Sequence, residues 1–222
     1  MSRISNILTL LALLLGSAAC LKAEPTQYWA AWAFDVWESG DFSTQTNLEN
    51  RHTDGLKLDY LRLTQKFEYQ LNDTWAFVIS PTIESQRRPG DWRETYRLEF
   101  ELNPTFKLTD RLSLKLRNRY EARRREGSGN EAFDRFRHRT MLTYKAAWLP
   151  GMTSVSIANE IYYDFNAERL MTNRFYPVML GFKINDHIKA STYYMYQSGR
   201  TAVQSDDWAG FHVIGVSSTF SF

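Results

Sequence analysis

Phe211-His-Val-Ile-Gly-Val-Ser-Ser-Thr-Phe-Ser-Phe222 decides the fold. Phe211, Val213, Gly215, Ser217, Thr219 and Ser221 share one parity, and His212, Ile214, Val216, Ser218, Phe220 and Phe222 share the other. This two-residue period is that of a β-strand, and it runs to the last aromatic. A strand placed there leaves an open edge unless it pairs with the first one. In hydrocarbon that closure is compulsory, because no water is present to satisfy free N–H and C=O groups. The tail therefore predicts an all-β fold, a transmembrane antiparallel β-barrel in which Phe220 and Phe222 belong to the barrel-closing terminal strand.

The amino-terminal segment agrees. Arg3, an apolar run over residues 7–15 and small residues over 16–23 form a signal peptide, residues 1–23, too short to span a bilayer. The barrel then occupies residues 24–222. Cleavage after Ala19 and after Ala23 both satisfy the small-residue rule, and Cys20 is a candidate lipid acceptor, although Ser17 stands where such sites carry an aliphatic. Beyond the leader there is no cysteine, which suits an oxidising periplasm. Removing Arg3 and Lys22 leaves 25 basic against 25 acidic residues, so the mature chain is formally neutral. A mean hydropathy of -0.46 excludes a helical membrane protein and admits a barrel, where every second residue is free to be polar.

Alternation predicts about ten strands, at residues 27–38, 56–71, 74–85, 92–108, 111–123, 133–148, 153–165, 174–184, 187–197 and 208–222. Tight connections at 72–73, 109–110, 149–152 and 185–186 alternate with longer polar ones at 39–55, 86–91, 124–132, 166–173 and 198–207. Short turns at one rim, long loops at the other and an even strand number place both termini in the periplasm of a bacterial outer membrane. A change of apolar parity implies a β-bulge near Tyr60, and Pro81, Pro104 and Pro177 each interrupt a ladder. Trp75, Phe106 and Trp148 form a periplasmic aromatic girdle, and Trp37, Trp92, Phe165, Tyr176, Tyr196 and Trp208 an outer one.

Charge is the remaining signal. Over residues 92–145 the polar parity carries twelve basic residues, Arg93, Arg97, Lys107, Arg111, Lys115, Arg117, Arg119, Arg123, Arg135, Arg137, Arg139 and Lys145. Only Glu99, Glu101 and Glu121 oppose them there, while the next strand offers Glu160, Tyr162 and Asp164. Tight turns place Glu101 near Arg119 and Asp164 near Arg137, within reach of bidentate pairing. Two readings follow for this lumen wall. Paired Arg and carboxylates plug a narrow bore in a structural or surface-binding barrel, or the unpaired surplus, unless acids such as Asp35 and Glu68 neutralise it, lines an anion-selective path for small solutes or acidic oligosaccharides.

Arg87, Arg88, Arg124 and Arg125 belong to the outer rim and suit lipopolysaccharide phosphates. Outer-membrane lipid, the barrel-assembly machinery acting on the C-terminal strand and small anions are the expected partners; nucleic acid is not. The chain reads as no enzyme. His138 and Thr140 have the spacing of a lipid-facing hydrolase pair, a remote alternative, but threonine replaces serine and no third residue is visible to orient the histidine. Histidine 52 lies in an outer loop with no fixed carboxylate pair, and four scattered histidines predict no metal site and no cofactor.

The Arg-rich segment 98–144, the stretch Asn159-Glu160-Ile161-Tyr162-Tyr163-Asp164-Phe165 and the tail 211–222 resemble an uncharacterised barrel family, domain of unknown function 2490. The resemblance implies an outer-membrane location and no established activity. The arginine tracks, mature length and aromatic end are also similar to those of oligogalacturonate-specific porins. Those barrels use more strands than are counted here, and the smaller bore argues against acidic-sugar uptake.

Overall fold

The computed structural model describes residues 25–53, 56–127 and 132–222; the expected signal peptide and Cys20 lie outside them. Eleven strands close into one barrel. They are β1 Thr26–Ser39, β2 Phe42–Thr53, β3 Lys57–Gln70, β4 Trp75–Arg88, β5 Asp91–Lys107, β6 Leu112–Arg125, β7 Arg135–Lys145, β8 Met152–Asp164, β9 Arg169–Lys183, β10 Ile188–Arg200 and β11 Trp208–Ser221. Sequence neighbours pair antiparallel all the way round, and β1 meets β11 in parallel.

The extra strand is β2, which lies where the sequence reads as a long outer loop, residues 39–55. Its outward positions include Thr44, Thr46 and Asn50, so hydrophobic alternation does not reveal it. Backbone pairing and cross-strand hydrogen bonds hold it instead; Thr46 Oγ1 donates to Gln65 Oε1 at 2.6 Å. An odd count reverses β1. Thr26 stands opposite His212 and Asp35 opposite Ser221, so Thr26 and Ser221 lie at opposite rims, not at the shared rim that an even count predicts. Trp37 consequently falls at the short-turn rim, near the stacked Phe34 and Phe220 rings (5.2 Å), and not in the outer girdle.

Two irregularities match the sequence. The β2–β3 register slips between Arg51 opposite Tyr60 and His52 opposite Leu58, leaving Asp59 as the extra residue of a bulge. The β8–β9 register slips across Pro177, which lacks the N–H a ladder needs. That slip turns Tyr176 into the lumen, where it is 6% exposed, so it too leaves the expected outer girdle. Pro81 and Pro104 stay in register, opposite Leu98 and Trp75.

The wall is inverted relative to a water-soluble domain. Leu98, Leu102, Phe175 and Ile157 are exposed on the outside, while Glu99, Glu121 and Glu160 are at most 1% exposed inside. Opposite this charged half, Trp29, Ala158, Tyr176, Met195 and Val213 pack as an apolar cluster within the barrel. Tyr193 joins it by lying over Gly215, where an added Cβ would sit 2.0 Å from the ring carbon Cζ. Gly215→Val therefore has to displace that ring and is expected to cost about 1–3 kcal/mol by overpacking. The check is the urea midpoint of the refolded barrel in detergent; an unchanged midpoint would show that Tyr193 does not depend on this gap.

Candidate functional site in the barrel lumen

Alternation on β5 to β8 sends every second side chain inward, and the tight antiparallel register stacks these rows at one level. Glu121 lies at the centre. It accepts from Arg135 Nε and from Arg137 Nη1, the latter at 2.7 Å, with Arg119 at 3.5 Å and Arg97 at 3.7 Å. Glu160 is the second hub, taking Arg117, Arg137 at 2.9 Å and, more distantly, Arg174 at 4.0 Å. Arg119 spans to Glu99 at 2.8 Å and to Glu101 through Nε at 2.6 Å. Arg97 turns the other way, to Glu84, whose other oxygen accepts the Tyr60 hydroxyl. Glu49 of β2 closes the ring by binding Arg51 at 2.6 Å and Arg62 at 2.8 Å. Aromatic faces complete the cage: Arg51 lies over Trp29 at 3.8 Å and over Tyr60 at 4.0 Å, and Arg137 over Tyr162 at 4.3 Å.

Two cavities remain in this packing. One, of about 160 Å³, is bordered by Lys66, Glu68, Glu101, Asn103, Lys115, Arg117 and Arg139, among others. The other, of about 130 Å³, lies among Glu49, Arg51, Arg62, Glu160, Arg174, Tyr193 and the same Arg117 and Arg139. Among the described residues no cluster of His, Cys, Asp and Glu could hold a metal ion.

The family model described as protein of unknown function (DUF2490) matches residues 26–208. The chain belongs to that family. The match begins with β1 and reaches the first residue of β11. A solved structure of the NanC porin in a rhombohedral crystal form is also similar, at 12% identity and a TM-score of 0.46, covering 88% of this chain and 99% of that one. No curated protein matches the chain.

Within this family member the expected wall residues fall into distinct groups. Arg97, Glu99, Glu101, Arg117, Arg119, Glu121, Arg135, Arg137 and Glu160 meet in the network, and Glu101 lies beside Arg119 as the tight turn predicts. Arg139 faces the lumen with no carboxylate within ion-pair distance among the described residues, touching the Met141 and Met179 sulfurs at 3.2 and 3.6 Å. Arg93 is exposed at the long-loop rim. Asp164 does not reach Arg137. The β7–β8 connection takes six residues, 146–151, so Arg137 opposes Tyr162 and Asp164 opposes Arg135; its ion pair is to Arg123 at 3.5 Å. Asp35 makes no ion pair with an arginine among the described residues and accepts instead from Gln45 and Ser221. The acids that balance the wall are Glu49, on the overlooked β2, and Glu84. Arg51 was hidden for the same reason, whereas Arg62, Lys66 and Glu84 lie on the legible polar parity of β3 and β4.

The outer wall carries a second arrangement. Asn118 Nδ2 donates to the Leu102 carbonyl at 3.3 Å, which turns Oδ1 toward His138 Nδ1 at 2.8 Å. The other ring nitrogen, Nε2, is then the acceptor, and Thr140 Oγ1 lies 3.0 Å away. Asn118 is the orienting third residue that sequence spacing alone does not show, because it comes from the facing strand, directly opposite His138. The neighbouring amide of Asn159, opposite Thr140, already donates to Asn173 Oδ1 at 2.8 Å and is not aimed at a reacting oxygen. At the long-loop rim, Arg200 and Arg169 clamp the 201–207 loop through Asp206 at 2.7 and 2.6 Å.

Two measurements check these features. His138→Ala leaves two polar partners unpaired against the outer medium and should cost about 1–3 kcal/mol, whereas Asn118→Leu/His138→Leu/Thr140→Val should recover stability. Equal urea midpoints for the single and triple variants would contradict a purely structural relay. Hydrogen bonding from Arg200 and the charge of Arg169 hold the Asp206 carboxyl below its usual range. A depressed carboxylate pKa keeps the clamp at and above the ordinary value of about 3.9 and releases it only as pH falls through the lower, folded value. Amide exchange of the loop should therefore stay slow at about pH 4 and rise below it.

Proposed function

We propose that this chain is an outer-membrane barrel whose lumen is closed by its own ion pairs, serving a structural or surface-binding role and not open diffusion. The short-turn rim faces the periplasm in this reading, the leader directs export, and the C-terminal strand engages the assembly machinery. The observation that carries the closed lumen is the burial of Glu99, Glu121 and Glu160 between arginines from several strands, with the residual space split into cavities of about 160 and 130 Å³. Eleven strands fall between small barrels filled by side chains and the 16-stranded porins that leave an aqueous channel. Rim arginines such as Arg87, Arg88 and Arg124 suit lipopolysaccharide phosphates, a screened contact that orders the outer mouth.

A second reading, a narrow anion-selective path, is favoured by one fact: Arg117 and Arg139 border both cavities. Planar-bilayer recording separates the two. The closed barrel gives no stepwise current, while anion-selective steps from the wild type would establish the channel. Glu121→Ala strands several arginines in a low-dielectric lumen and should destabilise the barrel by about 3–5 kcal/mol. Retention of wild-type heat resistance in that variant would remove the argument that the network plugs the bore.

A further inference from the structure

The larger cavity is built from more positive charge than its walls neutralise. Of its acids, Glu101 is committed to Arg119 and Asn103, at 2.6 Å from Arg119 Nε and 2.8 Å from Asn103 Nδ2. Of its cations, Arg117 gives one nitrogen to Glu160. Lys66, Lys115 and Arg139 have no carboxylate within ion-pair distance among the described residues, and only Glu68 is left to face them.

The pair Arg117 and Arg139 sharpens this. They stand directly opposite each other on β6 and β7, so two guanidinium-bearing side chains leave the wall about 4.5–5.5 Å apart at Cβ. Like charges so placed repel unless an anion lies between or beside them. The Nε atoms of both arginines are buried and have no acceptor. An unsatisfied buried donor on a charged group is costly, and two of them border one cavity that has room for more than water. Lys115, two residues before Arg117, is exposed toward the short-turn end of the lumen, which supplies a route of entry from the aqueous mouth.

We propose that this cavity is a binding site for one small oxyanion, a phosphate or carboxylate group, held by Arg117 Nε, Arg139, Lys66 and Lys115. Tetrahedral or planar oxygens match the guanidinium donors, and the ammonium groups of Lys66 on β3 and of Lys115 beside Arg117 on β6 add charge. The proposal rests on the closed-lumen reading for its enclosed geometry. It goes beyond that reading by making the cationic surplus a ligand site and not a residue of imperfect pairing. The source is free anion from the water-filled mouth, because lipid headgroups meet the outer wall.

The test uses the refolded barrel in a neutral, phosphate-free detergent, titrated with orthophosphate and followed by calorimetry and by melting temperature. Wild type should bind phosphate and melt higher as it is added. Arg139→Met should lose at least tenfold in affinity, yet melt no lower than wild type in phosphate-free buffer, since the substitution removes an uncompensated buried charge. Addition of anionic phospholipid micelles should not reproduce the effect; protection by them alone would assign the chemistry to headgroups and overturn the free-anion site. Absence of a phosphate effect in wild type, or its persistence in Arg139→Met, overturns the proposal. Bilayer currents recorded on the same sample keep the two readings apart. A conducting barrel that binds through Arg139 retains the site and loses the closed lumen, and a silent barrel without phosphate binding does the reverse.

Discussion

Closure of the wall is the constraint on which everything else depends. A sheet edge left open in hydrocarbon exposes a row of backbone donors and acceptors, and no side-chain chemistry compensates for that. Here the seam is the parallel contact of β1 with β11, a geometry slightly less stable per residue than the antiparallel pairing elsewhere. Side chains reinforce it at one end and a further backbone bond at the other. Phe34 stacks on Phe220, Ser221 Oγ donates to Asp35 at 2.6 Å, and the His212 amide reaches the Pro25 carbonyl at 3.1 Å. Trp29 and Val213, one from each side of the seam, enter the same apolar cluster inside the barrel.

Once the wall is closed, the interior must accommodate what the outer face rejects. Burying charge is expensive, so each carboxylate hub is surrounded by several guanidinium groups whose planar forks use more than one oxygen. The balance is nearly met: among the described residues nine arginines and seven carboxylates take part in the lumen ion pairs. Where it is not met, at Arg139 and at the free Nε of the Arg117 opposite it, the packing opens into cavities. The proposed plug and the proposed ligand site thus rest on one charge distribution, read at positions where pairing succeeds and where it stops.

Legibility in the sequence followed the strength of alternation. β5 to β7 combine a regular apolar parity with an arginine-rich one, so the facing of Glu99, Arg119 and Arg137 is readable directly. β2 is not, because the polar residues Thr44, Thr46 and Asn50 occupy its outward positions, Thr46 with Gln65 of the facing strand as its partner. Its omission removed Glu49 and Arg51 from the expected lumen, and with them one of the acids that offset the arginine surplus. Tyr176 was misplaced for a different reason: a one-residue slip at Pro177 exchanges inside for outside, and a period-2 pattern has no way to signal it locally. Asn118 illustrates a third kind of gap, since a partner contributed by a facing strand depends on register and not on spacing along the chain.

By itself the sequence determined that the chain is a barrel with apolar residues outside and an arginine-rich polar face inside, because alternation is a local property written residue by residue. Only the tertiary structure decided the eleventh strand, the reversal of β1, which carboxylate meets which arginine, and that among the described residues the Arg139 guanidinium beside Arg117 has none within ion-pair distance. Those outcomes depend on register around a closed ring, where a shift in one connection is propagated to every strand that follows.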